Sequence, residues 1–416
     1  MDLVHELIAR NRAGEPIGLP CFCTANEHVL RALLTSAAKT GFPTIIEATC
    51  NQVNQEGGYT GMTPQNFMTW VKGMANDAGV PMDQLMFGGD HLGPNAWKSE
   101  PLDQAMEKAR ELIKLYVQAG FTKIHLDTSM ACGGEPNPSF AQIAERSANL
   151  CAVAEANAPD PSKLIYIIGT EVPIPGGEIE EPSALDVTSV ARLHNTIQTH
   201  RDAWFSEGLD EAWSRIVSVV TQPGVDFSQT TIYPFIPQKA LPLRDAIRAQ
   251  DGWTYEAHST DYQSNEALAD LVKNHFFFLK VGPELTFRLR EAIFALAALE
   301  DQLQVDEPSF VRDTLAGEMI EKPDHWQDYY SGTTQELCIL RIFSYSDRIR
   351  YYWTKEKVAA SLSKLISNLR SIKLPETVIS QSFMALNFSN IPTEPSELIA
   401  LQVGRCIDRY FAAAGH

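Results

Sequence analysis

Over its first 300 or so residues the chain alternates between two hydrophobic patterns. Short β-branched or apolar runs end in polar residues, and each is followed by a longer segment with apolar positions three to four residues apart. The first pattern suits a buried strand and the second an amphipathic helix. Eight strands are predicted, over 17–24, 44–52, 84–93, 123–130, 164–172, 215–225, 253–261 and 276–286. Helix signals fall between them. Thr63-Pro64 reads as a cap followed by proline at the first helical position, with Gly79 as the stop. Ser99-Glu100-Pro101 opens another helix, whose Ala105, Met106, Ala109, Leu112, Ile113, Tyr116 and Val117 make one apolar stripe closed by Gly120. Ser264 caps 265–274, and 284–303 carries a strongly apolar face.

Strands alternating with helices predict an α/β architecture with parallel strands. Eight is the number that closes a barrel, so a (β/α)8 TIM barrel over 1–303 is the first expectation. An open doubly wound sheet is the second. That fold usually places a glycine-rich phosphate fingerprint after its first strand, where this chain has CFCTANEH. After residue 303 the strand texture stops. Residues 304–416 hold helical stretches such as 355–368 and 395–413, broken by prolines, and read as a helical C-terminal extension packed on the barrel.

Composition narrows the partners. With 44% hydrophobic and 21% charged residues, wholesale disorder is excluded. Lys plus Arg is 34 and Asp plus Glu is 52, a net charge of −18, which argues against nucleic acid or an anionic membrane as a partner. A small phosphorylated substrate remains compatible, because it needs only a local cationic or amide-lined pocket. No apolar run approaches the ~20 residues that span a bilayer. The N-terminus, MDLVHELIARNRAG, lacks a signal-peptide core, so a cytoplasmic location is expected. Seven scattered cysteines make a poor disulfide framework, and the Cys21/Cys23 pair has no second pair with which to hold a structural zinc.

In a β/α barrel the chemistry sits at the C-terminal strand ends, and ionisable residues concentrate there. Lys123, His125, Asp127 and Ser129 alternate with Ile124 and Leu126, while Thr254, Glu256, His258 and Thr260 share one face of the seventh strand. The outer face packs under helices, so the polar set is expected in the lumen. Burying so many charges is costly unless they pair, bind metal or act on a substrate. His91 and His258, with Glu171 and Gln222 on strands between them, form a candidate ligand set for a divalent metal, zinc first, with manganese, cobalt or nickel as alternatives. Glu47, Asp90, Asp127 and Glu256 are the acid/base candidates. Lys123 or Lys280 could instead form a Schiff base with a ketose. Asn51, Gln52, Ser259, Thr260, Lys280 and Gly282 are candidates for binding substrate or phosphate, and the glycine-rich segments 57–61 and 175–178 could bring amides to an anion. His194 and His200 read as solvated helix residues.

The strings IEATCNQVNQEGGYTGMTP, GGDHLGPNAW, KIHLDTSMAC, IGTEVPIPGG, YEAHSTDYQ, LKVGPELTFRLREAIFALA and YSDRIRYYW resemble the Z-subunit family of D-tagatose-1,6-bisphosphate aldolase. The resemblance runs over nearly the whole chain and weakens in the last 60 or so residues. It implies a barrel related to metal-dependent class II ketose-bisphosphate aldolases, acting in galactitol and tagatose breakdown. Asp90-His91 resembles the pairing of an acid with a metal-binding histidine in those aldolases. Two functions are implied. One is a C4 epimerase interconverting D-tagatose 6-phosphate and D-fructose 6-phosphate. The other is a non-catalytic subunit that stabilises a catalytic aldolase partner. Homo-oligomerisation is compatible with either.

Overall fold

The computed structural model describes residues 2–173, 176–177, 185–372, 374–383 and 391–415. Its strands, in chain order, are β1 (Leu19–Cys23), β2 (Thr44–Thr49), β3 (Leu85–Leu92), β4 (Lys123–Leu126), β5 (Ile165–Ile168), β6 (Ile216–Val220), β7 (Asp226–Phe227), β8 (Ile232–Tyr233), β9 (Thr254–Ala257) and β10 (Phe276–Val281). Eight of them close a parallel barrel in the order β1-β10-β9-β6-β5-β4-β3-β2. Each of the eight lies inside one of the predicted segments. The remaining two, β7 and β8, pair antiparallel as a small ribbon after β6.

Local signals set the helices between strands. Thr63 accepts from the Asn66 amide at 3.3 Å and Gly79 takes a left-handed φ of 73°, so helix Pro64–Ala78 starts and stops where the sequence indicates. The stripe from Ala105 to Val117 is the buried face of helix Leu102–Ala119. That helix starts without a side-chain cap, because Pro101, and not Ser99, precedes its first turn. Ser264 accepts from the Ala267 amide at 3.1 Å and opens helix Asn265–Lys273.

The lumen is stratified. Its floor is apolar: Leu19, Cys21, Ile45, Ile165, Ile167, Val217 and Phe278 pack with Val4, Leu7 and Ile8 of the N-terminal helix Asp2–Arg12. Asn11 fixes this plug by donating to the carbonyls of Ile17 and Val272 at 2.8 and 3.0 Å. Above the floor the inward positions become ionic, and Lys123 marks the transition, its ammonium 5.2 Å from the centre of the Phe278 ring.

Beyond helix Pro283–Leu303 the described chain is helical, and its last helix, Pro395–Ala413, lies on the barrel wall. Tyr410 and Phe411 pack on Phe22 of β1 with ring centres 6.2 and 5.4 Å away, so the extension continues the apolar core of the barrel. A short turn, Arg348–Tyr351, reaches the barrel mouth. Its base is fixed by buried Asp347, which accepts from Thr286 at 2.6 Å and from Arg290 at 3.2 Å. No described helix is long and apolar enough to cross a membrane. His194 is exposed on helix Val190–Ser206, but His200, expected in solvent, is fully buried because it falls on the side of that helix with Leu193, Thr196 and Ile197.

Candidate functional site

Neighbours on a regular strand point to opposite faces, so Asp90 and His91 should not share the lumen. They do, because β3 bulges. Gly89 pairs with Ile124 and Leu92 with Leu126, one residue more on β3 than on β4, and His91 takes a left-handed φ of 46°. A non-glycine residue rarely adopts that conformation, and such strain gathers at functional sites. His91 is held by Asp127, whose Oδ2 lies 2.7 Å from Nδ1. The other oxygen, Oδ1, accepts from the Ser129 amide and hydroxyl at 3.1 and 2.7 Å. Asp127, expected among the acid/base carboxylates, thus has both oxygens committed to orienting the imidazole.

Below lies a ladder of buried ion pairs. Glu47 accepts from Lys123 at 2.7 Å and from Lys280; Lys123 also pairs with Glu256 at 2.5 Å, and Lys280 with Asp90 at 2.7 Å. Gly88 makes room for Glu47: a Cβ there would sit 2.7 Å from Oε1. Glu47 and Glu256 lie under the pocket and not in its wall.

Three imidazoles converge above the ladder. Ring centres of His91, His125 and His258 are 5.1, 5.0 and 4.8 Å apart. Ligand atoms of Asp90, His125, Glu256 and His258 all lie within 4.8 Å of one another. His125 Nε2 is buried without a hydrogen-bond partner among the described residues. Clustered nitrogen and oxygen donors with an unpartnered buried nitrogen fit a divalent cation. The expected ligand set needs correction. Glu171 lies in the loop beyond β5, paired with Arg192 at 2.8 Å. The Gln222 side-chain oxygen accepts from the amides of Gly224 and Val225 at 2.8 and 3.0 Å. Neither lines the pocket. His125 joins the group instead; its alternation with Ile124 and Leu126 was a usable signal.

Burial opposes every charge here, and the neighbours decide which charges persist. It pushes the Asp90 carboxyl up, but His91, His125 and His258 together hold it well below the usual carboxylate range. Burial works against the His91 imidazolium as well, yet Asp90 and Asp127 raise its pKa to about 9. Burial pushes the Glu256 carboxyl up, but Lys123, His258 and His125 together bring it down to about 2, and burial lowers Lys280 to about 8.

The rim is less uniform. Asn51, Gln52, Ser259, Lys280 and Gly282 line the pocket. Thr260 does not: Ser259 has a φ of 52°, the strand alternation ends there, and Thr260 turns outward to the Lys280 carbonyl at 2.5 Å and the Tyr410 hydroxyl at 3.1 Å. The amides of Gly282 and Glu284, at the start of helix Pro283–Leu303, donate to Asp261 at 3.0 and 2.7 Å. In segment 57–61 the Gly58 amide donates to the Asn54 side chain at 2.9 Å. Of segment 175–178, Pro175 and Glu178 lie outside the described residues. Three pocket residues had no local sequence signal, Arg350, Tyr351 and Thr354, since they come from the extension and not from a strand end.

Fold and site together define an α/β-barrel protein with a histidine–carboxylate centre at the C-terminal ends of its strands. Residues 4–415 match the family described as D-tagatose-1,6-bisphosphate aldolase subunit GatZ/KbaZ-like, and the chain belongs to that family. It is 47% identical over 392 residues to the D-tagatose-1,6-bisphosphate aldolase subunit GatZ of Salmonella dublin, covering 93% of this chain and 92% of the relative. The GatZ subunit of Salmonella enteritidis is equally similar, 47% over 392 residues with the same coverage. Among solved structures, one described as a probable tagatose 6 phosphate kinase from Sinorhizobium meliloti superposes with a TM-score of 0.87 at 41% identity, covering 95% of this chain and all (100%) of the other.

Proposed function

We propose that the protein is a metal-dependent C4 epimerase of ketohexose phosphates, converting D-tagatose 6-phosphate to D-fructose 6-phosphate by retro-aldol cleavage and re-addition. The observation that carries this reading is Asp90, which enters the pocket between three imidazoles and the Lys280 ammonium. The names of the relatives support a tagatose phosphate as substrate class. His125 and His258 would hold the divalent ion, with His91 beside them joining once its proton is displaced; nitrogen donors favour zinc, with manganese, cobalt or nickel as alternatives. Such an ion supplies a Lewis acid for the ketone oxygen.

The chain's own groups handle protons. A carboxylate at the pocket wall, Asp90, takes the proton of the C4 hydroxyl. The C3–C4 bond breaks, its electron pair passes into the three-carbon fragment, and C4 becomes an aldehyde. Rotation of that aldehyde exposes its other face; the bond re-forms, and Asp90 returns the proton to the new alkoxide. Lys280 is tied to Glu47 and Asp90, which favours a charge-balancing ammonium over a Schiff-base nucleophile.

Purified chain with D-fructose 6-phosphate and zinc should form tagatose 6-phosphate, and Asp90→Asn should cut the rate by about 10²–10⁴-fold while the protein stays folded. A second reading, a stabilising subunit for a catalytic aldolase, is favoured by the word "subunit" in the relatives' names. Metal-loaded, folded wild type that is inert toward both ketose phosphates, yet stabilises a co-expressed aldolase, would decide for it.

A further inference from the structure

In many barrels the last two strands and the start of a following helix form the anion site. Here that place is taken. Asp261 accepts the Gly282 and Glu284 amides, so the chain's own carboxylate fills the helix N-terminus. Lys280, the ammonium nearest, is neutralised by Glu47 and Asp90. A phosphorylated substrate therefore needs a cation elsewhere on the wall.

Arg350 is that cation. It lines the pocket from the side opposite the barrel floor, carried by the turn of the C-terminal extension. No described carboxylate lies within ion-pairing distance of its guanidinium; its partners are the Ser346 carbonyl, the Asp347 carbonyl at 3.2 Å and the Tyr351 hydroxyl at 3.0 Å. These contacts fix its direction, and the buried Asp347 carboxylate acts on it only from beyond ion-pairing distance. Tyr351 lies under it, 4.6 Å from guanidinium carbon to ring centre, and Tyr59 packs edge-on against Tyr351 at 4.7 Å. Gly176, with φ 96°, passes beside it, and a Cβ there would sit 3.0 Å from Nη2, so a residue with no side chain leaves the guanidinium open. The field of Arg350 also reaches Cys23, which feels Asp90 and Lys280 as well, so the arginine faces the same space as the centre.

We propose that Arg350, framed by Gly176, Tyr59 and Tyr351, is the subsite for the terminal phosphate of the substrate. The assignment rests on the phosphorylated-ketose reading above and names the residue that enforces it. A guanidinium matches a phosphate through paired N–H donors, and such charge-assisted bonds are among the stronger ones.

The test is calorimetric titration of wild type, Arg350→Gln and Arg350→Lys with D-fructose 6-phosphate, D-fructose and inorganic phosphate, alongside turnover. Wild type should bind the phosphorylated sugar about 10- to 100-fold more tightly than fructose. Arg350→Gln should abolish that preference and the competition by inorganic phosphate, and Arg350→Lys should retain part of both. A preference that survives in Arg350→Gln overturns the subsite while leaving the phosphorylated-ketose reading standing. Arginine-dependent phosphate binding without turnover supports the subsite and sinks the epimerase. Wild type that binds neither phosphate nor phosphorylated sugar overturns both. If Arg350→Gln does not fold, Arg350→Lys decides, and unchanged discrimination there counts against the proposal.

Discussion

His200 sits in the middle of helix Val190–Ser206 with its ring buried and Nδ1 2.9 Å from the Thr196 carbonyl. Burial holds its pKa down to about 4, against an ordinary value of 6.5. A histidine that must stay neutral in the fold contributes full stability above pH 6.5 and loses it as pH falls through 4, because the unfolded chain takes up the proton first. The loss amounts to about 3 kcal/mol. Urea melts at pH 7 and pH 4.5 should show this difference shrinking in His200→Leu; an unchanged difference would remove His200 as its source. Single residues were unevenly legible in the sequence. Alternation in KIHLD and YEAHS marked Lys123, His125, Glu256 and His258 as inward, because period two survives as long as the backbone stays extended. It misled at Thr260, just after Ser259 turns left-handed. The burial of His200 was legible in principle from its spacing to Leu193, Thr196 and Ile197.

At the scale of elements, the end of β3 carries the most consequence. The Asp90-His91 bulge works only because β3 and β4 approach closely just beyond it. Gly93 is extended there, and a Cβ on it would run into the Asp127 carbonyl. Gly93→Ala should therefore push the two strand ends apart and loosen the grip of Asp127 on His91. The expected cost is about 1–3 kcal/mol, the usual penalty for forcing volume into a packed site. The change should also lower activity at temperatures where the protein is still folded, and wild-type kinetics together with an unshifted melting temperature would refute this role. Strand and helix positions were legible because most units carry at least one of a polar cap, a glycine stop or an apolar stripe. The bulge was not, since neither Gly-Gly-Asp-His nor its neighbours specify where a register slips. Glu171 and Gln222 were misjudged for a related reason: a residue a few positions past a strand follows its loop and leaves the barrel axis.

For the whole molecule, barrel and extension share one apolar core. The last helix covers Phe22, and the Tyr410 hydroxyl bonds to Thr260 beside the pocket. A chain ending at residue 303 should then expose the outer wall at β1 and aggregate instead of folding; a soluble fragment with a cooperative melt would refute this coupling. The extension was legible as helix, but its contribution of Arg350 was not, because nothing in a local pattern tells which loop of a distant segment will bend over a barrel mouth. The stratified lumen has one more consequence. Three carboxylates, Glu47, Asp90 and Glu256, pair with two ammonium groups, Lys123 and Lys280, at the inner end, and a guanidinium that no described carboxylate ion-pairs stands at the outer end. Charges that close, shielded from water, act strongly on an entering anion. Under the proposed phosphate subsite the barrel is polarised along its axis like a keyed socket: a sugar with a phosphate tail would enter carbon chain first and be repelled the other way round.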